Sequence, residues 1–527
     1  MSRCGKPADL PSVESSKSFW HSEPSSLLLG HRSTRDLPPT ADVVVIGSGI
    51  TGTSIAYHLL NDGDSNAKKP NVVMLEAREA CWGATGRNGG HCQPIFFEHP
   101  NEPEIGRFEL DNFHALGGLI NDKHIECEFV VQPGVRAIYS EQHLTTVQQA
   151  VETMKTTAPD LAAMMRFTTS KQELAELRIP TALGAIVTDV AARMWPYKFV
   201  SHILEELLTS AELDGTFNLQ TLTPVTSLSP TNQCVEVITN RGIIFASKVV
   251  LATNAYTSHL LPQFADLIVP CRGQMSSLVP FYSIAGENRL KTSLGFLGDG
   301  LDDYLIQRPT EKGGHLMFGG GRQFGSSISE TDDSVVDSQS AHYLQTKLVE
   351  IFKLPEGKKA CTYCAERKIN CHVPDHIMML NDHDLRCTNC IASSQPSCEQ
   401  PLNTPTPEMR ATHMWSGIMG FSRDDLPWIG PVPSTPHTYI SGGYTGHGMP
   451  NTWLCGKSAA LLVQNALNGG DEQKAMEHVK KVTGLPDGYV ITNERIKAAR
   501  ALPSVQQVDW TEKGFMPCHG ESSSSWS

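Results

Sequence analysis

The stretch "ADVVVIGSGITGTSIAYHLL" (residues 41–60) decides the fold of this chain. Its apolar, β-branched run at 43–46 predicts a strand that is buried on both faces. In the glycine-rich turn that follows, Gly47 permits a tight bend, Gly49 lets a ligand approach the backbone, and Gly52 lets the next helix pack on the strand. The stretch therefore predicts a strand–turn–helix unit whose helix N-terminus faces a phosphate group.

A second strand follows at the distance that a dinucleotide-binding unit requires. The segment "NVVMLE" (residues 71–76) ends in Glu76, which lies 24 residues beyond Gly52. A carboxylate that binds the ribose hydroxyls is expected about there, whereas the alternative is an ordinary strand–turn–helix with a surface glutamate. The residues predicted to contact the dinucleotide are Gly47, Ser48, Gly49, Ile50, Thr51, Gly52, Glu76 and Ala77.

The loop after Glu76 distinguishes FAD from NAD. It reads "AREACWGATGRNGGHCQP" (residues 77–94), whereas an NAD site would usually continue into another βαβ helix. Its "GATGRNGG" core resembles that of FAD-dependent amine and amino-acid oxidoreductases of the D-amino-acid-oxidase-like superfamily. Within that superfamily it is most similar to the γ-glutamylputrescine oxidase and glycine oxidase branch. The resemblance implies FAD as the cofactor, with contacts from Gly83, Ala84, Thr85 and Gly86.

Later segments match the same family in the order that the resemblance implies. "LQTLTPVTSL" (residues 219–228) is similar to a strand that places Val225 near adenine. "HTYISGGYTGHGMPNTWLCGKSAALLVQNAL" (residues 437–467) predicts a strand, a glycine-rich turn and a helix. A helix N-terminus there would stabilise negative charge on the reduced flavin, although the glycines can also serve packing alone. The residues implied to face the flavin are Gly446, His447, Gly448 and Met449.

The resemblance implies an α/β architecture with two interlaced domains. A Rossmann-type FAD-binding domain, discontinuous in the sequence, is expected in residues 38–125, 191–270 and 408–500, the last of these with the C-terminal helices. A smaller α+β substrate domain is expected in residues 126–190 and 271–356. An N-terminal arm, 1–37, is expected to be partly disordered, and the tail, 501–527, is expected to be flexible.

The family's chemistry is removal of hydride from a carbon that bears a neutral amine, after which the imine hydrolyses. Candidate catalytic residues beside the flavin are Arg87, Tyr304 and His447. A charged side chain inside a buried glycine-rich loop needs a partner, whereas Tyr304 can equally be a packed core residue. Non-covalent FAD is expected, with Cys81, His91 and Cys92 as candidates for a covalent link.

Two departures from the family pattern concern the substrate and the electron acceptor. Met419, in "GIMG", stands where glycine-oxidase-like sequences have an arginine that binds the substrate carboxylate. Met317, in "GHLMFGGGR", stands where sarcosine-oxidase-like sequences have a lysine associated with oxygen. We therefore expect an amine substrate, with oxygen or another acceptor, and keep an amino-acid oxidase or dehydrogenase as the alternative. Other arginines that could bind a carboxylate are Arg87, Arg308, Arg322 and Arg423.

Residues 357–407 interrupt the family pattern with a cysteine-rich insert. Paired CxxC motifs suggest zinc, and would make a zinc-binding or regulatory module with a vestigial flavin site the alternative function. A disordered loop and a translated intron are the competing interpretations, so no metal is predicted. The weak zinc candidates are Cys361, Cys364, Cys387 and Cys390.

Composition excludes several other classes of protein. The 527 residues are 40% hydrophobic and 19% charged, which is ordinary for a globular protein. The net charge of −13 argues against nucleic acid or an anionic membrane as a partner. No apolar run has membrane-spanning length and no secretory signal is evident, so we expect a cytoplasmic protein whose partners are a small molecule and an electron acceptor.

Overall fold

The structure is a computed structural model that describes residues 5–62, 68–213, 215–298, 300–353 and 408–508. Both glycine-rich motifs lie within these ranges. The strands in this part of the chain are β1 (Thr40–Ile46), β2 (Val72–Leu75), β3 (His91–Cys92), β4 (Val130–Val131), β5 (Gly134–Ile138), β6 (Met165–Thr168), β7 (Gly184–Thr188), β8 (Ala192–Arg193), β9 (Phe217–Gln220), β10 (Val225–Pro230), β11 (Val235–Thr239), β12 (Gly242–Leu251), β13 (Ile268–Leu278), β14 (Ser293–Gly298), β15 (Leu301–Gln307), β16 (Leu316–Gly319), β17 (Ala411–Ser422), β18 (Trp428–Pro431) and β19 (Thr438–Gly442).

Helices occur between these strands along the chain. Short 3-10 turns, among them Phe19–His21 and Ala84–Arg87, lie between the longer elements. The α-helices of the described residues are α1 (Ile50–Asn61), α2 (Pro103–Asp122), α3 (Glu141–Thr157), α4 (Pro159–Ala162), α5 (Lys171–Glu176), α6 (Pro196–Thr209), α7 (Thr257–Leu260), α8 (Ser338–Ile351), α9 (Thr452–Leu467), α10 (Glu472–Thr483) and α11 (Asn493–Ala501).

The first sheet has the parallel centre that the sequence predicts. Its main order is β10-β11-β12-β1-β2-β9, and β19 pairs with the carboxyl end of β12. Val43, Val44 and Val45 are fully buried, as expected for a strand covered on both faces. In the register of β1 and β2, Ile46 pairs with Leu75. The residues that follow these two strands, including Glu76, therefore emerge side by side at one edge of the sheet.

Helices α1 and α9 pack closely beside this edge. A Cβ on Gly456 in α9 would lie 2.5 Å from the Cβ of Ser54 in α1, so only glycine allows this approach. The Ser54 hydroxyl donates to the Trp453 carbonyl oxygen at 2.5 Å. The packing brings the N-termini of both helices to the same region, although 400 residues separate them in the chain.

The second sheet has the order β17-β13-β16-β15-β14-β5-β7-β6. Strand β17 pairs antiparallel with β13 along its length, from Ser422 opposite Ile268 to Ala411 opposite Leu278. Residues 411–422 therefore belong to the second sheet, although the sequence analysis assigned them to a FAD-binding segment that begins at 408. The proximity of this segment to the cofactor turn was visible in the sequence, but its pairing depends on a strand about 140 residues earlier.

The N-terminal arm is ordered from residue 5 onward and packs against both sheets. Phe19 is 7% exposed and Trp20 is fully buried, and the Trp195 indole nitrogen donates to the Trp20 carbonyl oxygen at 2.8 Å. The sequence analysis expected an arm, 1–37, that is partly disordered; in the structure Phe19, Trp20 and Leu28 of this arm belong to the hydrophobic core. Two large aromatic side chains bury enough apolar surface to hold the arm in place.

Candidate cofactor and substrate site

A cavity of about 770 Å³ follows the edge of the first sheet and continues beneath the second sheet. This volume is within the range of pockets that bury small molecules. Most residues that the sequence assigned to the cofactor line it, although the segments that carry them are far apart in the chain. The predicted residues on its wall are Gly47, Ser48, Gly49, Ile50, Thr51, Glu76, Ala77, Gly83, Ala84, Thr85, Arg87, Val225, Tyr304, Gly446, His447, Gly448 and Met449.

Gly52 and Gly86, also predicted as cofactor contacts, are absent from the lining and serve packing instead. A Cβ on Gly52 would lie 1.9 Å from the carbonyl oxygen of Gly47, which itself has φ +104°. A Cβ on Gly86 would lie 2.1 Å from the carbonyl oxygen of Cys81. Both glycines allow the backbone to fold tightly around the cavity without contacting it.

The two glycine-rich loops meet at Thr85. Its hydroxyl accepts a hydrogen bond from the Ile50 amide at 3.1 Å, and a Cβ on Gly49 would lie 3.1 Å from the same oxygen. A side chain at residue 49 would therefore fill the space between the loops. This contact shapes the cradle at the N-terminus of α1, where backbone N–H groups and the helix dipole favour a phosphate.

Glu76 lies at the end of β2, on the cavity wall. One carboxylate oxygen accepts from the Ser48 amide at 3.0 Å and from the Ser48 hydroxyl at 2.7 Å. The other oxygen accepts from the Arg78 amide at 2.9 Å. These hydrogen bonds fix the carboxylate beside the first glycine-rich turn, where the sequence predicts the ribose.

The turn before α9 brings a histidine to the cavity. The Nε2 atom of His447 lies 2.9 Å from an oxygen of Glu109, a residue of α2 that is 3% exposed. Glu109 also accepts hydrogen bonds from the Ile95 amide at 2.8 Å and the Asn451 side-chain amide at 3.2 Å. The sequence analysis missed Glu109, because only the packing of α2 against α9 places it at the cavity.

Each member of this pair changes the protonation of the other. Burial alone would lower the pKa of His447, but the negative charge of Glu109 outweighs it and raises the pKa above 6.5. Burial would raise the pKa of Glu109, but His447 and the hydrogen bonds hold the pKa below its usual 4.5. The contact therefore favours an imidazolium beside a carboxylate.

His91 has the opposite character. Burial, with a smaller contribution from the positive charge of Arg136, lowers the pKa of His91 to about 4, so the imidazole is neutral near pH 7. Its Nε2 donates to the Leu305 carbonyl oxygen at 3.1 Å, which leaves Nδ1 as the acceptor. Within the described residues Nδ1 has no hydrogen-bond partner. Among the histidines that line the cavity, His91 is therefore neutral near pH 7, whereas His447 favours its protonated form.

Tyr304, in β15, lies across two glycines. A Cβ on Gly89 would lie 2.4 Å from its ring, and a Cβ on Gly319 would lie 2.6 Å from the carbon that carries its hydroxyl. The ring meets His91 edge to face, with centroids 5.5 Å apart. Burial raises the pKa of Tyr304 well above its usual range, so the hydroxyl remains a potential hydrogen-bond donor.

Arg87 lines the cavity, but its donors are used within the protein. Its Nε donates to the Ser416 carbonyl oxygen at 2.7 Å and lies 3.3 Å from Asp333, which is fully buried. Its other nitrogens donate to Ser15 and Ser16 of the N-terminal arm. This arrangement argues against Arg87 as a catalytic residue and assigns it a structural role. The buried charge that the sequence identified is balanced by Asp333.

Two of the other predicted arginines lie away from the cavity. Arg308 binds the carboxylate of Glu128 through Nε at 3.2 Å and Nη2 at 2.6 Å. Arg423 donates to the Leu502 carbonyl oxygen and to Asp266. Neither is on the cavity wall. Arg322 does line the cavity, at 2.7 Å from Asp302, and the lining also includes Arg136, which the sequence analysis missed.

The predicted methionine positions divide between wall and core. Met419 lines the cavity beside Ile418, whereas Met317 is fully buried and is absent from the lining. Cys81 and Cys92 are also fully buried and absent from the lining. Burial raises the pKa of Cys92 to about 12, so this thiol is not poised for covalent attachment.

The zinc candidates Cys361, Cys364, Cys387 and Cys390 lie outside the described residues. In the described part of the chain, no group of three or more histidine, cysteine or acidic side chains is arranged to hold a metal ion. Within the same ranges, no helix is both long and apolar enough to cross a membrane.

Comparison with known families identifies the family to which the chain belongs. The sequence model of the FAD dependent oxidoreductase family matches residues 42–390, which is more than half of the chain. The chain belongs to this family. This FAD-dependent oxidoreductase is 22% identical to "Probable oxidoreductase OrdL" of Haemophilus influenzae over 468 residues, covering 86% of this chain and 88% of that protein. It is 26% identical to the "Gamma-glutamylputrescine oxidoreductase" of Escherichia coli over 249 residues, covering 45% and 54%.

The fold of the oxidoreductase matches solved structures of the same kind. The crystal structure of glycine oxidase from Geobacillus kaustophilus superposes with a TM-score of 0.57, covering 82% of this chain and 96% of that chain at 16% identity. The cradle fits FAD, because a side chain at Gly49 would fill the space between the two glycine-rich loops, while the lack of side chains at Gly47 and Gly52 lets the backbone close tightly around the N-terminus of α1. Glu76 and Val225 would hold the adenosine half, and Gly446–Met449 would face the flavin half.

Proposed function

We propose that the protein oxidises the C–N bond of an amine in preference to a simple α-amino acid. FAD, when bound, supplies the hydride acceptor. The product imine then hydrolyses in water. The observations that support the proposal are the apolar side chains of Ile418 and Met419 on the cavity wall, which offer a carboxylate no charge and no donor, and the pairing of the nearby cavity arginine Arg322 with Asp302 at 2.7 Å. A buried carboxylate without a partner loses several kcal/mol of solvation.

His91 is the residue that we assign to the amine proton. An amine must lose its proton before hydride can leave the adjacent carbon, and the residue His91 lines the cavity with a neutral imidazole whose Nδ1 is buried and has no hydrogen-bond partner in the described residues. His447 is unsuited to accept that proton, because its raised pKa favours the protonated imidazolium. Its positive charge and the N-terminus of α9 are instead suited to stabilise negative charge that develops on the cofactor.

Anaerobic reduction of the flavin by a panel of substrates tests the proposal. The panel contains γ-glutamylputrescine, N-methylated amines, sarcosine, glycine and D-amino acids. We expect an amine to bleach the flavin absorbance fastest, and His91→Gln to slow that bleaching. Rapid bleaching by glycine or D-alanine with inert amines would establish the alternative, an amino-acid oxidase or dehydrogenase. Readmitting air then shows whether oxygen or another acceptor reoxidises the protein.

The proposal includes non-covalent FAD and a cytoplasmic location. Non-covalent binding is supported by the absence of Cys81 and Cys92 from the cavity lining and, for His91, which does line it, by the burial of Nδ1 and the hydrogen bond of Nε2 to Leu305, so acid precipitation should release the yellow colour into the supernatant. In the described part of the chain Cys81, Cys92, Cys127, Cys234 and Cys455 are thiols and form no disulfide, which supports a reducing compartment. Fractionation of cells that express the native gene tests the location.

A further inference from the structure

Arg136 lies in a row of residues that crosses the second sheet. In the register of β5, β14, β15 and β16, Arg136 pairs with Gly295, Gly295 with Tyr304, and Tyr304 with Gly319. Residues that are direct partners across neighbouring strands share one face of a sheet. Arg136, Gly295 and Tyr304 all line the cavity, so this face is the cavity face.

The guanidinium of Arg136 extends over Gly295 toward Tyr304. A Cβ on Gly295 would lie 2.6 Å from the Cδ atom of Arg136 and 3.0 Å from its Nη1 atom. Because Gly295 has no side chain, the side chain of Arg136 can occupy the space above it. Because neighbouring strands are about 4.8 Å apart, the backbone positions of Arg136 and Tyr304 are separated by about 10 Å.

Arg136 keeps hydrogen-bonding capacity that the cavity arginines Arg78 and Arg87 have used. Its Nη2 donates to Glu98 at 3.2 Å, while its Nε and Nη1 donate to no residue in the described part of the chain. The Glu98 side chain is 42% exposed, so this ion pair is open to exchange with a ligand. Arg78 and Arg87 instead share the buried Asp333.

Apolar residues line the same cavity as Arg136. Phe97, Val147 and Leu297 belong to one apolar cluster, and Phe97 directly precedes Glu98, the partner of Arg136. The surroundings therefore combine an apolar wall, suited to methylene groups, with a planar cation that has free donors. When Glu98 leaves Nη2, the guanidinium presents Nη2 together with Nη1 or Nε, and either pair binds a carboxylate in a bidentate way.

We propose that Arg136 binds a carboxylate of the substrate, which Glu98 vacates by rotating toward solvent. The inference rests on the proposed function. If the oxidised carbon bears no carboxylate, the carboxylate that Arg136 binds must lie further along the substrate chain. The substrate class is then an amine whose methylene chain ends in a carboxylate-bearing group. Arg136 is the residue that selects it over a plain amine.

Binding of a non-oxidisable probe tests Arg136 separately from the reaction. Glutarate carries a carboxylate at each end of a short methylene chain, and glutaramide, which has an amide at each end, is its uncharged analogue. Titration of each into the FAD-loaded protein, followed by the flavin absorbance spectrum and by calorimetry, gives the dissociation constants. We expect Arg136→Gln to weaken glutarate binding about ten- to a hundred-fold, because a charge-assisted pair is lost. Arg136→Lys should show an intermediate loss.

Glu98→Gln is the matched variant, and we expect it to change the affinity for glutarate in the opposite direction. It keeps the guanidinium and removes the competing carboxylate, so glutarate should bind more tightly than to the unaltered protein. Equal weakening of glutarate and glutaramide by Arg136→Gln, or no Arg136-dependent binding of glutarate, would overturn the inference. If glutarate binding depends on Arg136 but no amine bleaches the flavin, the inference stands and the proposed function fails.

Discussion

Glu76 has a position that its sequence spacing predicted, and its contacts indicate how it acts. Glu76→Ala should weaken FAD binding by about ten- to a hundred-fold, because a charge-assisted hydrogen bond contributes about 1.5–3 kcal/mol. Fluorescence titration of the apoprotein with FAD measures the dissociation constant. Glu79→Ala is the control, since Glu79 lies on the same loop but away from the cavity and accepts a hydrogen bond from the Gly30 amide. Unchanged affinity in Glu76→Ala would show that the ribose lies elsewhere.

The buried pair of Glu109 and His447 predicts a dependence of stability on pH. The folded-state pKa of His447 is raised, so its contribution is complete below the unfolded value near 6.5 and is lost as the pH rises through the folded value. Glu109→Gln removes the partner and should lower the free energy of unfolding at pH 6 by about 1–3 kcal/mol. The difference between the two proteins should shrink by pH 9.

Urea unfolding at pH 6 and pH 9 measures this difference. Glu104→Gln is the matched control, because Glu104 is exposed in the first turn of the same helix. It should follow the unaltered protein at both pH values. A Glu109→Gln protein with an equal deficit at both values would mean that Glu109 acts through the hydrogen bonds that it accepts from Ile95 and Asn451, and not through the charge of His447.

The strand–turn–helix element that begins the FAD-binding unit depends on glycine for its shape. Gly52→Ala should prevent folding or FAD loading, because the added Cβ would lie 1.9 Å from the Gly47 carbonyl oxygen and 3.0 Å from its carbon. Backbone atoms cannot move aside as a flexible side chain can. Gly118→Ala is the matched control, since Gly118 is exposed in α2 and a Cβ there would meet nothing within 4 Å.

Thermal unfolding and the ratio of bound FAD to protein measure both variants. Gly118→Ala should stabilise the protein by about 0.5–1 kcal/mol, because alanine loses less entropy than glycine in a helix. A folded Gly52→Ala protein with a full complement of FAD would contradict the tight packing of α1 on the first turn.

In the whole molecule, residues on the two sides of the cysteine-rich insert lie close together. The amide of Met409 donates to the carbonyl oxygen of Gln345 in α8 at 2.8 Å, and Glu408 lies 3.1 Å from His342 in the same helix. The chain therefore returns beside the helix that it left at Ile351. Six helical residues span about 9 Å, a distance that a linker of a few residues covers.

Replacing residues 357–407 by a short glycine–serine linker should thus leave a folded, FAD-loaded protein. The flavin-to-protein ratio and the melting temperature, compared with those of the full-length chain, measure the outcome. Elemental analysis of the full-length protein for zinc tests the paired cysteines, and peptide mass spectrometry of the native protein tests whether the segment is translated. Loss of folding, or one zinc per chain, would make the segment structural.

The cofactor-binding elements could be predicted from the sequence because their spacing is local. Gly47, Gly49, Gly52 and Glu76 act within one strand–turn–helix–strand unit, where backbone geometry alone requires glycine at fixed positions and an acid after the second strand. The turn at 446–449 also has a local signature. These short motifs can be interpreted without knowing how the rest of the chain folds.

Side-chain partners between distant segments depended on the tertiary structure. Arg87 was identified as a buried charge, but its balance by Asp333 and the N-terminal arm follows from the contact of three separate segments. Glu109 and Arg136 reach the cavity only because α2 packs against α9 and β5 joins the sheet of β15. Burial and charge pairing arise only when distant segments come together in the tertiary structure, so no spacing in the sequence specifies them. The backbone freedom of glycine, in contrast, is a property of the residue itself and can be recognised in the sequence.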